Sequence, residues 1–245
     1  MIKLVVFDLD KTIAPHSQRG DIRNHLISLE DKGIRLMFIS SKPTTYVSGF
    51  VQSLGITEAI IVGENGAEIH FNLNYPVHKT YVYCEHEVDQ LATLQVDLLL
   101  KYTRDIWFQP NNVNVSAFSR NSRIHSLVKK DIKDFVSTHK NFSYNENLEE
   151  NSFEIHPSQS DRGAGIRVVM RELGLKPPEV IGIGNTRNDK PLFLEGIHSI
   201  SWSQSTANHK VLNTSQAINK VNELISEEEK FSLSNIYYFE AYKKA

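Results

Sequence analysis

Three short apolar runs, Ile2 to Phe7, Ile34 to Ile39 and Ala59 to Val62, alternate with stretches of helical spacing, and that alternation constrains the fold more than any other feature. The first intervening helix is expected from Ile22 to Lys32, stopping at Gly33, and the second from Tyr46 to Leu54, stopping at Gly55. A repeated strand–helix order calls for parallel strands joined by right-handed crossovers. After the third run, GENGAEI reads as a turn opening a hairpin. From about Tyr81 to Ile155 the chain becomes richer in Asn, Ser and Tyr. Here helices are expected at Val88 to Tyr102 and Ser126 to His139, with alternating segments such as NVNVSAFS, a polar stretch around Asn145 to Asn151, and SFEIHP. The first pattern then resumes with a helix at Gly163 to Leu173 and a strand at Glu179 to Ile183. The expected fold class is α/β: a doubly wound parallel sheet from residues 1–80 and 156–245, with an α+β unit inserted over 81–155.

The first strand runs straight into two acids at alternate positions, Asp8 and Asp10, followed by Thr12. Like charges held close together are costly unless something positive sits between them, and a divalent metal with a phosphate would supply that charge. Two solvated acids at a strand end, with Asp10 capping a turn, is the competing reading. Three further loops lie where parallel strands end at their carboxyl side, the edge at which open α/β sheets bind ligands. In SSKP, Ser40 offers a hydroxyl, Ser41 a backbone N–H and the next helix a positive N-terminus; a simple capping serine reads equally well. DRG sets Arg162 at a helix start, where it could clamp a phosphate or lie on the surface. GIGNTRND offers Asn185, Asn188 and Asp189, whose oxygens suit a hard cation. Its Gly-x-Gly is no dinucleotide fingerprint, because the position of the third glycine holds Arg187.

Composition removes other classes. A net charge of −2 gives no electrostatic case for nucleic acid or an anionic membrane, and no apolar stretch approaches the length of a membrane span. The single cysteine, Cys84, excludes an internal disulfide and fits a reducing compartment, and Ile2 to Phe7 is too short for a signal peptide, so the expected location is cytoplasmic. The histidines, among them His70, His78, His125 and His156, have no metal-ligand spacing, and neither a Gly-x-Ser-x-Gly elbow nor a P-loop is present. The EEE run at Glu227 to Glu229 reads as a solvated helix edge.

FDLDKT, FISSKP, DRG and GNTRND, in this order and at these intervals, resemble the four motifs of the haloacid-dehalogenase-like phosphatase superfamily, and the insertion resembles its small type-two cap. With GENGAEI before the cap, the chain is similar to phosphoglycolate, sucrose-phosphate and mannosyl-phosphoglycerate phosphatases. The resemblance implies a Rossmann-like hydrolase core and hydrolysis of a small phosphorylated metabolite, a sugar phosphate or phospho-acid, through an aspartyl-phosphate. It makes Asp8 the nucleophile and Asp10 the general acid–base. Leu9, Thr12, Ser40, Ser41, Arg162 and Asn188 would hold the substrate, and Asp8, Asp10, Asn185 and Asp189 would hold Mg²⁺. The chain departs from the pattern at Ser40-Ser41-Lys42 for Thr-Gly-Arg, at Arg162 for Lys, and at Asn185 for Asp. A less negative metal site follows, which leaves open a catalytically impaired phosphometabolite-binding protein; a phosphomutase on the same scaffold is a third reading. Trp107, Asn112, Asn114, Arg120 and Arg123 are candidates for cap contacts to the substrate.

Overall fold

The computed structural model describes residues 1–13, 19–83, 85–204 and 206–227. Cys84, Glu228, Glu229 and most of the segment between Ile13 and Gly20 lie outside the described residues. Among the described residues, the larger of two sheets has eight strands in the order β12-β11-β10-β1-β2-β3-β4-β5. These are β1 (Leu4–Asp8), β2 (Arg35–Ile39), β3 (Ile60–Gly63), β4 (Glu68–His70), β5 (Lys79–Tyr81), β10 (Val180–Ile183), β11 (His198–Ser201) and β12 (His209–Lys210). From β12 to β3 all pairings are parallel, whereas β4 and β5 add antiparallel edge strands, so GENGAEI does open a hairpin.

Parallel strands covered on both faces read as unbroken apolar runs. On one face Val5, Phe7, Leu36, Phe38 and Ile61 meet Ile22, Leu26 and Leu29 of α1 (Arg19–Asp31), Val47 and Val51 of α2 (Thr44–Ser53), and Val221 of α7, the helix 214–227. On the other, Leu4, Val6, Met37 and Ile39 meet Ile166, Val169 and Met170 of α5 (Arg162–Leu173) and Leu192 and Phe193 of α6 (Lys190–Phe193). The sheet is therefore doubly wound. β1 lies between β2 and β10, where the winding reverses, and Asp8 ends that strand.

The second sheet, β6-β7-β9-β8, is antiparallel: β6 (Ile106–Phe108), β7 (Val115–Ser119), β8 (Phe142–Asn147) and β9 (Ser152–Pro157). Helices α3 (Glu85–Tyr102) and α4 (Ser122–Thr138) cover one face, packing Leu91, Leu94, Leu98, Val128 and Ile132 on Ala117, Phe153 and Ile155. Directly opposed residues share a face, so Ser116, Glu154 and Asn145 line up on the other, and Glu154 reaches the first sheet from there. The expected unit boundaries at 80/81 and 155/156 fall inside β5 and β9. Part of the polar stretch expected around Asn145 to Asn151 belongs to strand β8. Polar residues are tolerated there because Asn145 stands on the side away from the helices.

Candidate active site

Strand β1 stops at Asp8 and the chain turns at once into a π-helical turn, Leu9–Ile13. Leu9 is buried, and the turn brings Thr12 back over the strand end. There the Thr12 hydroxyl donates to Asp8 Oδ2 at 2.7 Å. Arg162, the first residue of α5, is held in place by the helix cap: the preceding Asp161 has extended backbone, and its Oδ1 accepts the Ala164 N–H at 2.7 Å. The buried guanidinium donates through Nη1 to Asp8 Oδ1 at 2.5 Å and also to Asp189 Oδ1. Its Nε donates to Asn65 Oδ1 at 3.0 Å. Asp189 Oδ2 in turn accepts the Thr186 N–H at 2.7 Å and the Thr186 hydroxyl at 2.9 Å, which closes the loop after β10 around the carboxylate.

The electrostatics follow from burial. The Asp8 carboxyl stands raised, at about 6: removal from water pushes it up most, Arg162 and Thr12 pull it down, and Asp189 adds to the rise. Burial would lower the Arg162 guanidinium, but the two carboxylates overcome it and hold arginine above its ordinary value, so it stays charged. Asp10, half-buried, accepts from the Ser40 hydroxyl at 2.8 Å. The Lys42 N–H donates to the same Ser40 oxygen at 3.0 Å, which directs the hydroxyl proton toward Asp10.

The strand ends thus bring together Asp8, Thr12, Arg162 and Asp189, with Ser40 and Asp10 beside them. Ser41 is half-buried, and its carbonyl accepts from Gln109 Nε2 of the inserted unit at 3.2 Å. Asn188 is exposed. Asn185 Oδ1 is buried with no hydrogen-bond partner, an orphaned acceptor in the loop where a cation ligand is expected. Among the described residues no three His, Cys, Asp or Glu side chains converge to hold a metal, as follows where position 185 carries an amide and both oxygens of Asp189 are engaged. The available donors are oxygens, which fits a hard divalent cation held by few charges.

Several residues at this junction give no functional signal in the sequence. Glu64 accepts backbone N–H groups from Asn112 (2.7 Å), Val113 (2.9 Å) and Asn114 (2.7 Å) of the β6–β7 connection. Its carboxyl stands raised, at about 7: burial pushes it up most, the three N–H groups oppose the rise and nearby Glu68 adds to it. Glu68 Oε2 accepts from Thr44 (2.9 Å) and from Asn112 Nδ2 (2.8 Å), while His70 pairs with Oε1 at 3.1 Å. Asn65 Nδ2 reaches Glu154 Oε1 and Oε2 at 2.7 and 2.8 Å. Of the expected cap contacts, Asn112 and Asn114 bind the first unit rather than open space. Trp107 is exposed and stacks on Phe118, Arg120 pairs with Asp105, and Arg123 is exposed. The only signal available was the ENG of GENGAEI, since Asn and Gly tolerate left-handed backbone.

A sequence-family model described as haloacid dehalogenase-like hydrolase matches residues 5–149 and 102–226. A phosphoglycolate phosphatase of Methanospirillum hungatei is 23% identical over 200 residues, 77% of this chain and 78% of that protein. A haloacid dehalogenase-like hydrolase from Bacteroides thetaiotaomicron superposes with a TM-score of 0.74 at 17% identity, over 90% of this chain and 100% of the other. The sucrose-phosphatase of Synechocystis, solved with sucrose and phosphate, gives a TM-score of 0.65 at 13% identity, over 91% and 98% of the two chains. Among the described residues no helix is long and apolar enough to cross a membrane.

Proposed function

Because the chain belongs to the haloacid dehalogenase-like hydrolase family, we propose that its phosphatase chemistry acts on a small phosphomonoester through a covalent intermediate on Asp8. The observation that carries the reading is the set of bonds at the end of the central strand: a buried carboxylate held on one oxygen by Thr12 and on the other by a buried arginine. Each Asp8 oxygen keeps a second lone pair, so orientation does not consume the nucleophile.

In the first half-reaction an Asp8 oxygen forms a bond to phosphorus as the ester oxygen leaves with its electron pair, and Asp10 gives that oxygen a proton. In the second, water attacks the aspartyl-phosphate while Asp10 takes its proton, which releases inorganic phosphate and restores Asp8. Two displacements replace one difficult one. Arg162 supplies positive charge against the repulsion between carboxylate and phosphate, and Asp189 keeps the guanidinium turned toward Asp8. Ser40 holds the Asp10 carboxyl in place. Mg²⁺ would be held by Asp8, the Asp10 carbonyl and Asn185, with Asp189 behind them, and would neutralise phosphate charge. The second sheet, with α3 and α4, would act as the cap over the site, in a protein proposed to work in the cytoplasm.

Metal-dependent phosphate release from a generic aryl phosphate, then from a panel of sugar phosphates and phospho-acids, tests the reading; no release from any of them overturns it. The amide at position 185 and the arginine at 162 favour a second reading, a phosphometabolite-binding protein with impaired catalysis. Tight binding of a phosphate ester without turnover supports that instead.

A further inference from the structure

We propose that Glu154 and Asn65 are positioning residues that couple docking of the second sheet to the setting of the Arg162 guanidinium. The inference rests on the phosphatase reading above and adds to it a control on when the site is assembled.

The Asn65 side chain stands between an acceptor and a donor. Its Nδ2 is 2.7 and 2.8 Å from the two Glu154 oxygens, and its Oδ1 accepts Arg162 Nε–H at 3.0 Å. A carboxylate only accepts and a guanidinium only donates, so just one orientation of the amide satisfies both neighbours. Reversed, the amide would set N–H against N–H on one side and oxygen against carboxylate on the other. Glu154 therefore dictates that an oxygen faces Arg162. With Nε pinned, the plane of the rigid fork is fixed, and Nη1 is held between Asp8 and Asp189. A lysine, with a single ammonium at its tip, has no counterpart to Nε, so this bond to Asn65 requires arginine at 162.

Glu154 comes from β9 of the second sheet, whereas Asn65 and Arg162 belong to the first unit. The loop carrying Asn65 is gripped from both directions. Glu64 binds the 112–114 backbone, and the Asn65 N–H donates to the Ser40 carbonyl at 2.9 Å. Glu64 and Asn65 both adopt left-handed φ, 52° and 54°; asparagine tolerates this conformation, but a glutamate keeps it only when surrounding contacts enforce it. If the second sheet lifts, Glu154 departs, the amide loses the neighbour that orients it, and Arg162 loses its fixed acceptor. The plane of the guanidinium is then fixed through Nε only while the site is covered, although Asp8 and Asp189 keep its charge there throughout, as expected where closure completes a catalytic set.

The test measures kcat and KM for an aryl phosphate in the full chain, for Glu154→Ala, Asn65→Gly and Glu154→Gln, and for the first two in an Arg162→Lys background. Asn65→Gly keeps the left-handed turn and deletes only the amide. Glu154→Ala and Asn65→Gly should each lower kcat by about tenfold or more, the scale of outer-sphere partners, with KM unchanged. Glu154→Gln, which retains an acceptor oxygen, should recover most of the loss. In the Arg162→Lys background the same substitutions should cost nothing further, because the atom they act through is gone. Losses that persist in full there, or wild-type kcat in Asn65→Gly, overturn the proposal. Failure of the phosphatase reading is told apart by the Arg162 Nε–H signal in ¹⁵N-labelled protein: the coupling stands if Glu154→Ala moves it and falls if it does not, with or without turnover.

Discussion

Gly66→Ala should damage both the fold and the chemistry, and the structure sets the scale. A Cβ built on Gly66 would lie 2.1 Å from the Asp161 carbonyl oxygen, 2.7 Å from its carbon and 3.2 Å from the Arg162 nitrogen, on a residue with φ of 103°. Ordinary carbon contacts sit at roughly 3.5 Å, so relieving the first overlap takes a displacement of about 1.4 Å. The obstructing atoms are backbone and cannot swing aside. Positive φ costs an alanine about 1–2 kcal/mol and overpacking about 1–3 kcal/mol, or about 2–5 kcal/mol together. At about 2–4 °C per kcal/mol for a chain of this size, Tm should fall by roughly 4–20 °C. The displaced segment carries Asp161 and Arg162, and a shift of about 1 Å in a positioning element can cost about 10²-fold in kcat. Gly174→Ala is the control. It has φ of 63° at the other end of α5 with nothing within 4 Å, so it should lose only the strain, about 1–2 kcal/mol, and keep its kcat. Calorimetry and aryl phosphate turnover on both variants decide the matter. If Gly66→Ala melts no lower than Gly174→Ala and turns over like the wild type, the close approach of these two segments does not position Arg162.

Asp8→Asn should abolish turnover while leaving Tm near that of the wild type, and phosphate release at the wild-type rate would refute covalent catalysis on that residue. Asp10→Asn should cut turnover by about 10²–10⁴-fold and allow phospho-Asp8 to accumulate, which mass spectrometry of quenched enzyme would detect. Asn185→Asp should tighten Mg²⁺ by roughly tenfold or more, since charge on a ligand oxygen strengthens a hard-cation site; equal or weaker binding in a calorimetric titration would mean the orphaned Oδ1 is no ligand. Glu64, raised from 4.5 to about 7, binds its proton more tightly in the folded protein than in the unfolded chain. Its stabilisation is present below pH 4.5 and fades as pH climbs through 7, by about 3 kcal/mol at 1.36 per unit, so the stability of wild type relative to Glu64→Gln should decline across that window; a flat difference would count against it.

The parallel sheet was readable because strands buried on both faces must be apolar at every position, as Leu4 to Phe7 and Leu36 to Ile39 are. Helix ends came within a few residues where glycine stops them, as at Gly33 and Gly55. The edge character of β8 was hidden because only one of its faces is covered, leaving Asn145 and Asn147 to read as loop. Asp8, Thr12 and Arg162 stand in local motifs, and the structure brings them into contact. Asn65 and Glu154 do not: they meet across 89 positions of sequence, through an amide whose local role is only to permit a turn. No periodicity reports a bond between two separately folded units. The burial of His125 is equally silent, since it gains its partner Glu146 from tertiary packing, and that of His70 is no more legible although its partner Glu68 stands two residues away on the same strand.

The place of β1 at the middle of the sheet bears on how the chain is made. Leu4 leaves the ribosome well before Val180, with which it pairs on one side, while its other neighbour, Arg35, follows soon after. Domains form vectorially during synthesis, and pairings distant in sequence carry the largest loop-closure cost. Strands β1 to β5 and the whole second sheet are therefore complete while one edge of β1 still waits for β10, with Asp8 at its tip. Arg162 and Asp189 both follow the second sheet in sequence, so the nascent chain holds the Asp8 carboxylate without its counter-charge until that segment emerges. That interval, rather than the finished enzyme, is when the open central edge is exposed to pairing with the wrong strand and when a holding chaperone has the most to protect.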